Sequence, residues 1–597
     1  MLGPKSTLAL LWLLNSVPTS FAIPTQTPLG IPSESIDDII KPRRKLQGRF
    51  LHITDMHPDP YYRAGSSEKK ACHRGKPKPG KPPAGHYGLS DCDAPFSLTN
   101  YTLDFLEQEW ADDIDFVIWT GDSARHDNDR KRPRTTAEIY GSNRAMSGKM
   151  EEVFVRRGIP VVPTIGNNDV WRTTCRLCFK NWDAAAEIVV QNIMMPGPNS
   201  ITSEFSSIWR PFVPFPAYQV FQRGGYFSVE VILNSVAVIS LNTMYFYDSN
   251  AAVGGCEHSD PQDPGNLQFD WLDVQLELFR SRKMQVWLSG HVPPSSRNYF
   301  PECYVRYVEL SMRYQDTILG HLYGHMNMDH FFLLDAEQFA RPRNMTLASN
   351  HETSTLKGKK KELYKTLMQE FSDLPKYQNL DHDNYGVVNV APPVVPTYLP
   401  SFRIFTYNTT GEHFEPGHLG EDEQPERPRR SMKDLVDSLC ADEEYENTWR
   451  CKLSKPWHSN PRSPSRTNRL WTPLGFAQYY LPDLDEADEK HRPKFKLEYL
   501  TFQTSALHPP PPAGEASAAE DETEVAAAGK SNWPIPKRHL PRSLQNSTMT
   551  KTKKFAPYEL ADLTIPSWTE LGTRLGRNKG KLRQRFKEFM SMGGEAA

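Results

Sequence analysis

At 597 residues the chain exceeds the size of a usual single core, so one large domain with appendages is expected. Its 70 Lys and Arg nearly cancel its 72 Asp and Glu, leaving a net charge of −2, which argues against wholesale nucleic-acid binding. Eight cysteines in a chain of this length exclude a disulfide-scaffolded mini-protein.

In chain order, Lys5 precedes the apolar run T-L-A-L-L-W-L-L, and the small-residue end S-F-A stops before Ile23. On length, residues 1–23 are nearer a cleaved signal peptide than a membrane span. Residues 24–47 form a Pro-containing linker into a main domain at 48–410, where strand-like and helix-like runs alternate. Two helices are predicted at 97–110 and 267–282, the second with Leu267, Trp271, Val274 and Leu278 as its buried face. Residues 350–375 read as a charged, partly helical insertion. Strands resume at 385–391 and 401–408, the latter as the last strand of the sheets. Residues 411–470 are charged and flexible, 471–507 pack on the main domain, and 508–530 are low-complexity and disordered. The tail, 531–597, ends in a basic amphipathic run that could grip a polyanion or lie on an acidic membrane, with packing on the main domain preferred.

Five short stretches carry the chemistry: D-M-H at Asp55–His57, G-D at Gly121–Asp122, G-N-N-D at Gly166–Asp169, G-H at Gly290–His291 and G-H-M-N at Gly324–Asn327. Each follows its own apolar run: R-F-L-H-I-T, D-F-V-I-W-T, V-V-P-T-I, M-Q-V-W-L-S and I-L-G-H-L-Y. Each therefore falls where a strand ends and a loop begins, the place where a parallel or mixed sheet displays ligands. Any one alone is weak evidence. Together, carboxylate, carboxamide and imidazole groups suit two divalent ions about 3.5–4 Å apart, with one Asp shared between them.

The ordered set resembles the calcineurin-like metallophosphoesterases, whose pattern is D-x-H, G-D, G-N-H-[DE], G-H, G-H-x-H. W-T-G-D-S-A-R-H-D-N-D, G-H-V-P-P and Y-G-H-M-N-M-D-H-F are similar to the branch that holds acid sphingomyelinases and fungal vacuolar endopolyphosphatases. The Asn residues in G-N-N-D and G-H-M-N favour the latter. The resemblance covers roughly 48–410, a stretch near 470–505 and the tail. It implies an α/β fold of two packed mixed β-sheets flanked by helices. It also implies Asp55 and His57 on one metal, Asp122 as the bridge, and Asn167, His291 and His325 on the second, with Asn327 at the position of a first-metal His. An amide oxygen in place of imidazole shifts the expectation toward Mn²⁺ or Mg²⁺, with Co²⁺ or Zn²⁺ as alternatives.

Asn168 replaces the family histidine that assists the leaving group. An alkoxide needs that proton, whereas a polyphosphate chain leaves as a weakly basic oxyanion. The resemblance thus implies hydrolysis of internal phosphoanhydride bonds in polyphosphate, by a hydroxide between the two ions. Asp122, Asn167, His291 and His126 are the catalytic candidates; His126 is read as a phosphate contact or as a residue orienting a ligand. Lys69, Lys70, Arg74, Lys76, Lys78 and Lys81, and then Arg130, Lys131, Arg132 and Arg134, follow two of the metal motifs and would form a cationic funnel for a polyanion. Their alternative is a pair of solvated loops. A sphingomyelinase-like phosphodiesterase and a non-catalytic polyanion-binding protein are the rival functions. No aromatic array accompanies the basic loops, so nucleic acid is not expected.

By sequence neighbourhood the cysteines pair as Cys72 with Cys92, Cys175 with Cys178, Cys256 with Cys303 and Cys440 with Cys451. The C-x-x-C of Cys175 and Cys178 also fits a zinc pair or a redox motif, but no second C-x-x-C and no thioredoxin-like context accompany it. Sequons at Asn100, Asn344, Asn408 and Asn546 fit the same oxidising route. The resemblance implies a lumen-facing vacuolar protein, held by a type II signal anchor or soluble after cleavage. Processing by vacuolar proteases and a homo-oligomer are further expectations.

Overall fold

The computed structural model describes residues 45–88, 92–171, 173–174, 189–190, 194–336, 356–416, 439–443, 445–453, 457–508, 534–546 and 554–593. The proposed signal segment, Asn344 and the low-complexity stretch lie outside the described residues. Among the described residues no helix is long and apolar enough to cross a membrane.

Two six-stranded mixed sheets form the centre. The first contains β1 (Arg49–Ile53), β2 (Phe116–Trp119), β3 (Val161–Pro163), β10 (Ser401–Tyr407), β11 (Pro473–Tyr480) and β12 (Lys496–Leu500), in the order β12-β11-β10-β1-β2-β3. The second contains β4 (Phe227–Ile232), β5 (Val236–Ser240), β6 (Gln285–Ser289), β7 (Ile318–Tyr323), β8 (His330–Asp335) and β9 (Tyr385–Val390), in the order β8-β9-β7-β6-β5-β4. β1, β2 and β6 are buried at every position, which is why they read as continuous apolar runs rather than alternating ones. β1, β2 and β3 run parallel to one another, as do β5, β6, β7 and β9. The loops after β1, β2 and β3 therefore open together at one edge, and those after β6 and β7 do the same in the second sheet. The sheets face each other through rings: Phe50 meets Trp287 edge-on at 5.2 Å, and Ser240 Oγ donates to the Pro163 carbonyl at 2.7 Å.

The 401–408 strand is not the last of its sheet. β11 and β12 continue the sheet beyond it, pairing antiparallel, so the segment expected merely to pack on the domain supplies two of its strands. The predicted helices form as α1 (Phe96–Glu109) and α3 (Pro264–Ser281), with α2 (Thr136–Val153) between them. The buried face predicted for α3 is wrong. Leu267, Val274 and Leu278 are 43 %, 63 % and 45 % exposed and Trp271 is half-buried, while Phe269, Leu272, Leu276 and Phe279 face the core. The helix carries two apolar stripes, and the one with two phenylalanines takes the interior. Its start is set by Asp263, which accepts from the Gly265 and Asn266 amides with Pro264 behind it.

The charged 350–375 insertion forms α5 (Leu356–Asp373), which buries Leu367, Met368 and Phe371. α5 packs on the tail helices α6 (Ile565–Arg577) and α7 (Lys581–Phe589). Phe331 of β8 is the meeting point, with ring centroids 4.5 Å from Trp568, 5.0 Å from Phe371 and 6.0 Å from Phe586. In the segment expected to be flexible, Trp449 stacks under Arg306 of α4 (Pro301–Arg313), at 4.1 Å. Disulfides join Cys72 to Cys92, Cys256 to Cys303 and Cys440 to Cys451, as the neighbour pairing predicts. The expected bond between Cys175 and Cys178 is not among these disulfides, because Cys175 and Cys178 both lie outside the described residues.

Candidate metal centre

Asp55, Asp122, Asn167, His291 and His325 sit just past β1, β2, β3, β6 and β7, so the two sheets bring the five motifs to one point. Backbone bonds fasten the loops to each other: the Asp55 amide donates to Gly121 O at 3.1 Å, and the Gly324 amide to His291 O at 3.1 Å. Asp55, His57, Asp122, His325 and Asn327 all adopt positive φ, between 40° and 70°. That left-handed backbone is costly for non-glycine residues and is characteristic of functional loops. The motif glycines are set by close approach. A Cβ on Gly166 would lie 2.1 Å from Asp122 Oδ1, and one on Gly324 2.0 Å from Thr54 Oγ1.

Two groups of potential ligand atoms converge on one carboxylate. His57 Nδ1 donates to the Ala124 carbonyl at 2.9 Å, which leaves Nε2 3.5 Å from Asp55 Oδ1 and 3.3 Å from Asp122 Oδ2. His291 Nδ1 likewise donates to Thr120 O at 2.7 Å, aiming Nε2 at Asp122 Oδ2, 3.2 Å away, and at Asn167 Oδ1, 2.9 Å away. His325 Nδ1 reaches the same Asn167 oxygen at 2.7 Å. Among the described residues, Asp55 Oδ1, His57 Nε2 and Asn327 Oδ1 are buried with no hydrogen-bond partner. Oxygen and imidazole nitrogen atoms about 3 Å apart, facing one another, suit a small divalent ion that takes the place of any proton between them. The donor set fits divalent metal, with Asp122 Oδ2 common to both groups.

The electrostatics agree. Burial disfavours charge on His57 and His291, but Asp122 beside each more than offsets it, raising both to about 9. The same negative potential would answer a dication. His325 is pushed down to about 3 by burial and by the neighbouring His291, so its imidazole is neutral and available as a ligand.

The surrounding residues hold these groups in place. Asn168 donates to both oxygens of Asp122, by its backbone N–H at 2.7 Å and its amide Nδ2 at 2.9 Å. Asp169 accepts from the amides of Gly166, Asp122 and Ser123 at 2.9, 3.0 and 2.7 Å, tying the G-D and G-N-N-D loops together. His126 stacks on His57 at 4.0 Å between centroids, and its Nδ1 bonds to Asp93 Oδ1 at 2.6 Å. Asp93 was not among the residues singled out from sequence. Its one visible signal is adjacency to Cys92, whose disulfide closes the basic loop.

The basic residues divide. Lys69, Lys70, Lys76, Lys78, Lys81, Arg130, Lys131 and Arg132 are exposed. Arg132 stacks over Tyr61 at 4.1 Å, and Arg74 pairs with Asp129. Arg134 departs from the funnel reading: it is buried, and its guanidinium donates to the carbonyls of Arg125, Asn168 and Val170. It braces the G-N-N-D loop and the loop after β2 from behind, where these three carbonyls need a donor. Of the sequons, Asn100 and Asn546 are exposed, and Asn408 follows β10 with its amide donating to Asn468 Oδ1 at 2.8 Å.

The pattern of the calcineurin-like phosphoesterases matches residues 48–329. The chain is 38 % identical to the endopolyphosphatase of Cryptococcus neoformans, across 93 % of this chain and 92 % of that one. It is 34 % identical to the endopolyphosphatase of Yarrowia lipolytica (68 % and 61 % covered) and 32 % identical to that of Neurospora crassa (95 % and 83 %). The chain belongs to the endopolyphosphatase family of calcineurin-like phosphoesterases.

Proposed function

We propose that the protein hydrolyses internal phosphoanhydride bonds of inorganic polyphosphate in a metal-dependent reaction. The observation that carries this reading is the convergence of two ligand sets on Asp122 Oδ2, in a chain whose relatives are named endopolyphosphatases. Asp55, His57, Asp122 and Asn327 would hold one divalent ion, and Asp122, Asn167, His291 and His325 the other. When bound, the pair supplies Lewis-acid charge and acidified water for in-line attack on phosphorus. Mn²⁺ or Mg²⁺ suits the amide oxygens of Asn167 and Asn327 better than a thiol-seeking ion.

The protein's own groups do the rest. His126 is half-exposed, and with Nδ1 bonded to Asp93 it keeps Nε2 for an oxygen of the scissile phosphate. Asn168 is committed to Asp122 and supplies no proton to a leaving group. That suits a phosphate oxyanion and disfavours an alkoxide. The exposed lysines and arginines of the 69–81 and 130–132 loops would steer the polyanion inward. The oxidising route read from the disulfides supports a vacuolar, lumen-facing location, with the N-terminal segment as anchor or cleaved signal.

Long-chain polyphosphate and sphingomyelin, offered to the same preparation with Mn²⁺ or Mg²⁺, test the reading. Polyphosphate turnover with negligible sphingomyelin turnover is expected; the reverse preference would overturn it.

A further inference from the structure

The tail helices bury their apolar faces and leave their basic faces around a cavity. Trp568, Leu571 and Leu575 of α6 and Phe586 and Phe589 of α7 are all in the core. On the other side, α6, α7 and the segment before them enclose a cleft of about 700 Å³, lined by Lys554, Arg574, Arg577, Lys581 and Arg585. Glu559 is the one carboxylate among the described lining residues. Arg574 donates to the Tyr558 carbonyl at 3.0 Å, and Arg585 pairs with Glu588 at 3.0 Å on the exposed surface. Lys554, Arg577 and Lys581 have no carboxylate within ion-pair distance among the described residues. Unneutralised cations gathered in a concave surface raise the local concentration of a polyanion.

The cleft is coupled to the site through α7. Met590, at the end of that helix, accepts a backbone bond from Asp329 at 3.2 Å, two residues past Asn327. Phe589 stacks on Tyr499 at 4.5 Å, and Tyr499 in turn donates to Asp329 at 2.7 Å. At about 1.5 Å per helical residue, Lys581 and Arg585 lie roughly 7–14 Å along α7 from that junction.

We propose that this cleft is a second, non-catalytic binding site for condensed phosphate, which holds a distant part of a long chain while another part occupies the metal centre. The idea rests on the polyphosphate reading above. A membrane surface is the poorer occupant, because the apolar residues that would enter a bilayer are already buried and the cationic surface is concave. Two linked contacts raise affinity only for chains long enough to reach both, so the advantage is confined to long substrates.

The test compares the full chain with an Arg577→Ala/Lys581→Ala variant, both carrying Asp122→Asn so that binding is read without turnover. The probes are long-chain polyphosphate, tripolyphosphate and phosphatidylserine vesicles. The double variant should weaken long-chain binding about tenfold at ~0.1 M salt and flatten its salt dependence, leaving tripolyphosphate unchanged. Arg577→Lys/Lys581→Arg, which keeps the charge, should restore it. With Asp122 intact, kcat/KM for tripolyphosphate should not change. Unaltered long-chain affinity in the double variant, or an equal loss for tripolyphosphate, would overturn the cleft assignment. So would a loss confined to the vesicles. If long chains bind at the cleft but the intact protein cleaves none, the cleft stands and the hydrolase reading falls.

Discussion

Asp93 holds His126 twice: one carboxylate oxygen meets the ring Nδ1 at 2.6 Å, and the other accepts the His126 backbone N–H at 3.1 Å. This double grip fixes the imidazole flat against His57, so Asp93 acts through His126 rather than on substrate. Asp93→Ala should lower kcat about 10–100-fold with little change in KM. Asp93→Asn should recover part of the loss, because an amide oxygen still accepts the backbone N–H. Steady-state kinetics on polyphosphate separate the cases; equal activity in all three proteins would remove Asp93 from the mechanism.

Protons and metal compete for His57 and His291. Both are raised to about 9, so in metal-free protein each carries a proton at neutral pH that a divalent ion must displace. Metal affinity should therefore rise with pH up to about 9, with protons released on binding; calorimetry in buffers of different ionisation enthalpy measures that release. The sign for stability is opposite. Raised imidazoles stabilise the metal-free fold fully below the unfolded value near 6.5, and that contribution is lost as pH climbs through about 9. Chelator-treated protein should lose melting temperature across that window, and metal-loaded protein should not.

Asn168 orients the shared carboxylate. Asn168→Ala removes the Nδ2 bond to Asp122 and should lower activity about 10–100-fold, with metal affinity falling alongside. Metal content after dialysis, read beside activity, checks it; full metal occupancy with full activity would contradict this role.

The two basic loops should respond differently from Arg134. Neutralising Lys76, Lys78 and Lys81 together should raise KM for long chains and weaken the salt dependence, with kcat little changed. Arg134→Ala should instead destabilise the fold by about 2–4 kcal/mol, because three buried carbonyls lose their donor. Denaturant titration of both variants distinguishes steering from bracing.

The strands that carry the motifs were legible because each is a largely buried apolar run that leads into its ligand motif, four of the five motifs opening on glycine. The three described disulfides were legible because each joins cysteines that neighbour one another along the chain. β11 and β12 were not, because nothing in 473–500 distinguishes a strand that extends a sheet from one that packs on it. The face of α3 was misjudged because Leu267, Val274 and Leu278 keep helical spacing as well as Phe269, Leu272 and Leu276 do; only the third dimension chooses between two such stripes. Asp93 escaped, and Arg134 was read as part of the funnel, for a related reason. Their roles depend on partners at residues 126 and 168, which no local pattern links to them.

On the function proposed above, the ligands converging on Asp122 serve a metal-dependent hydrolase that cuts within polyphosphate chains. Gel electrophoresis of long-chain polyphosphate, incubated with the protein and Mn²⁺ or Mg²⁺ beside an Asp122→Asn variant, tests it directly. Progressive shortening through intermediate lengths, abolished in the variant, is the predicted result. Undiminished cleavage by Asp122→Asn, or no cleavage by the wild type with either ion, would contradict it.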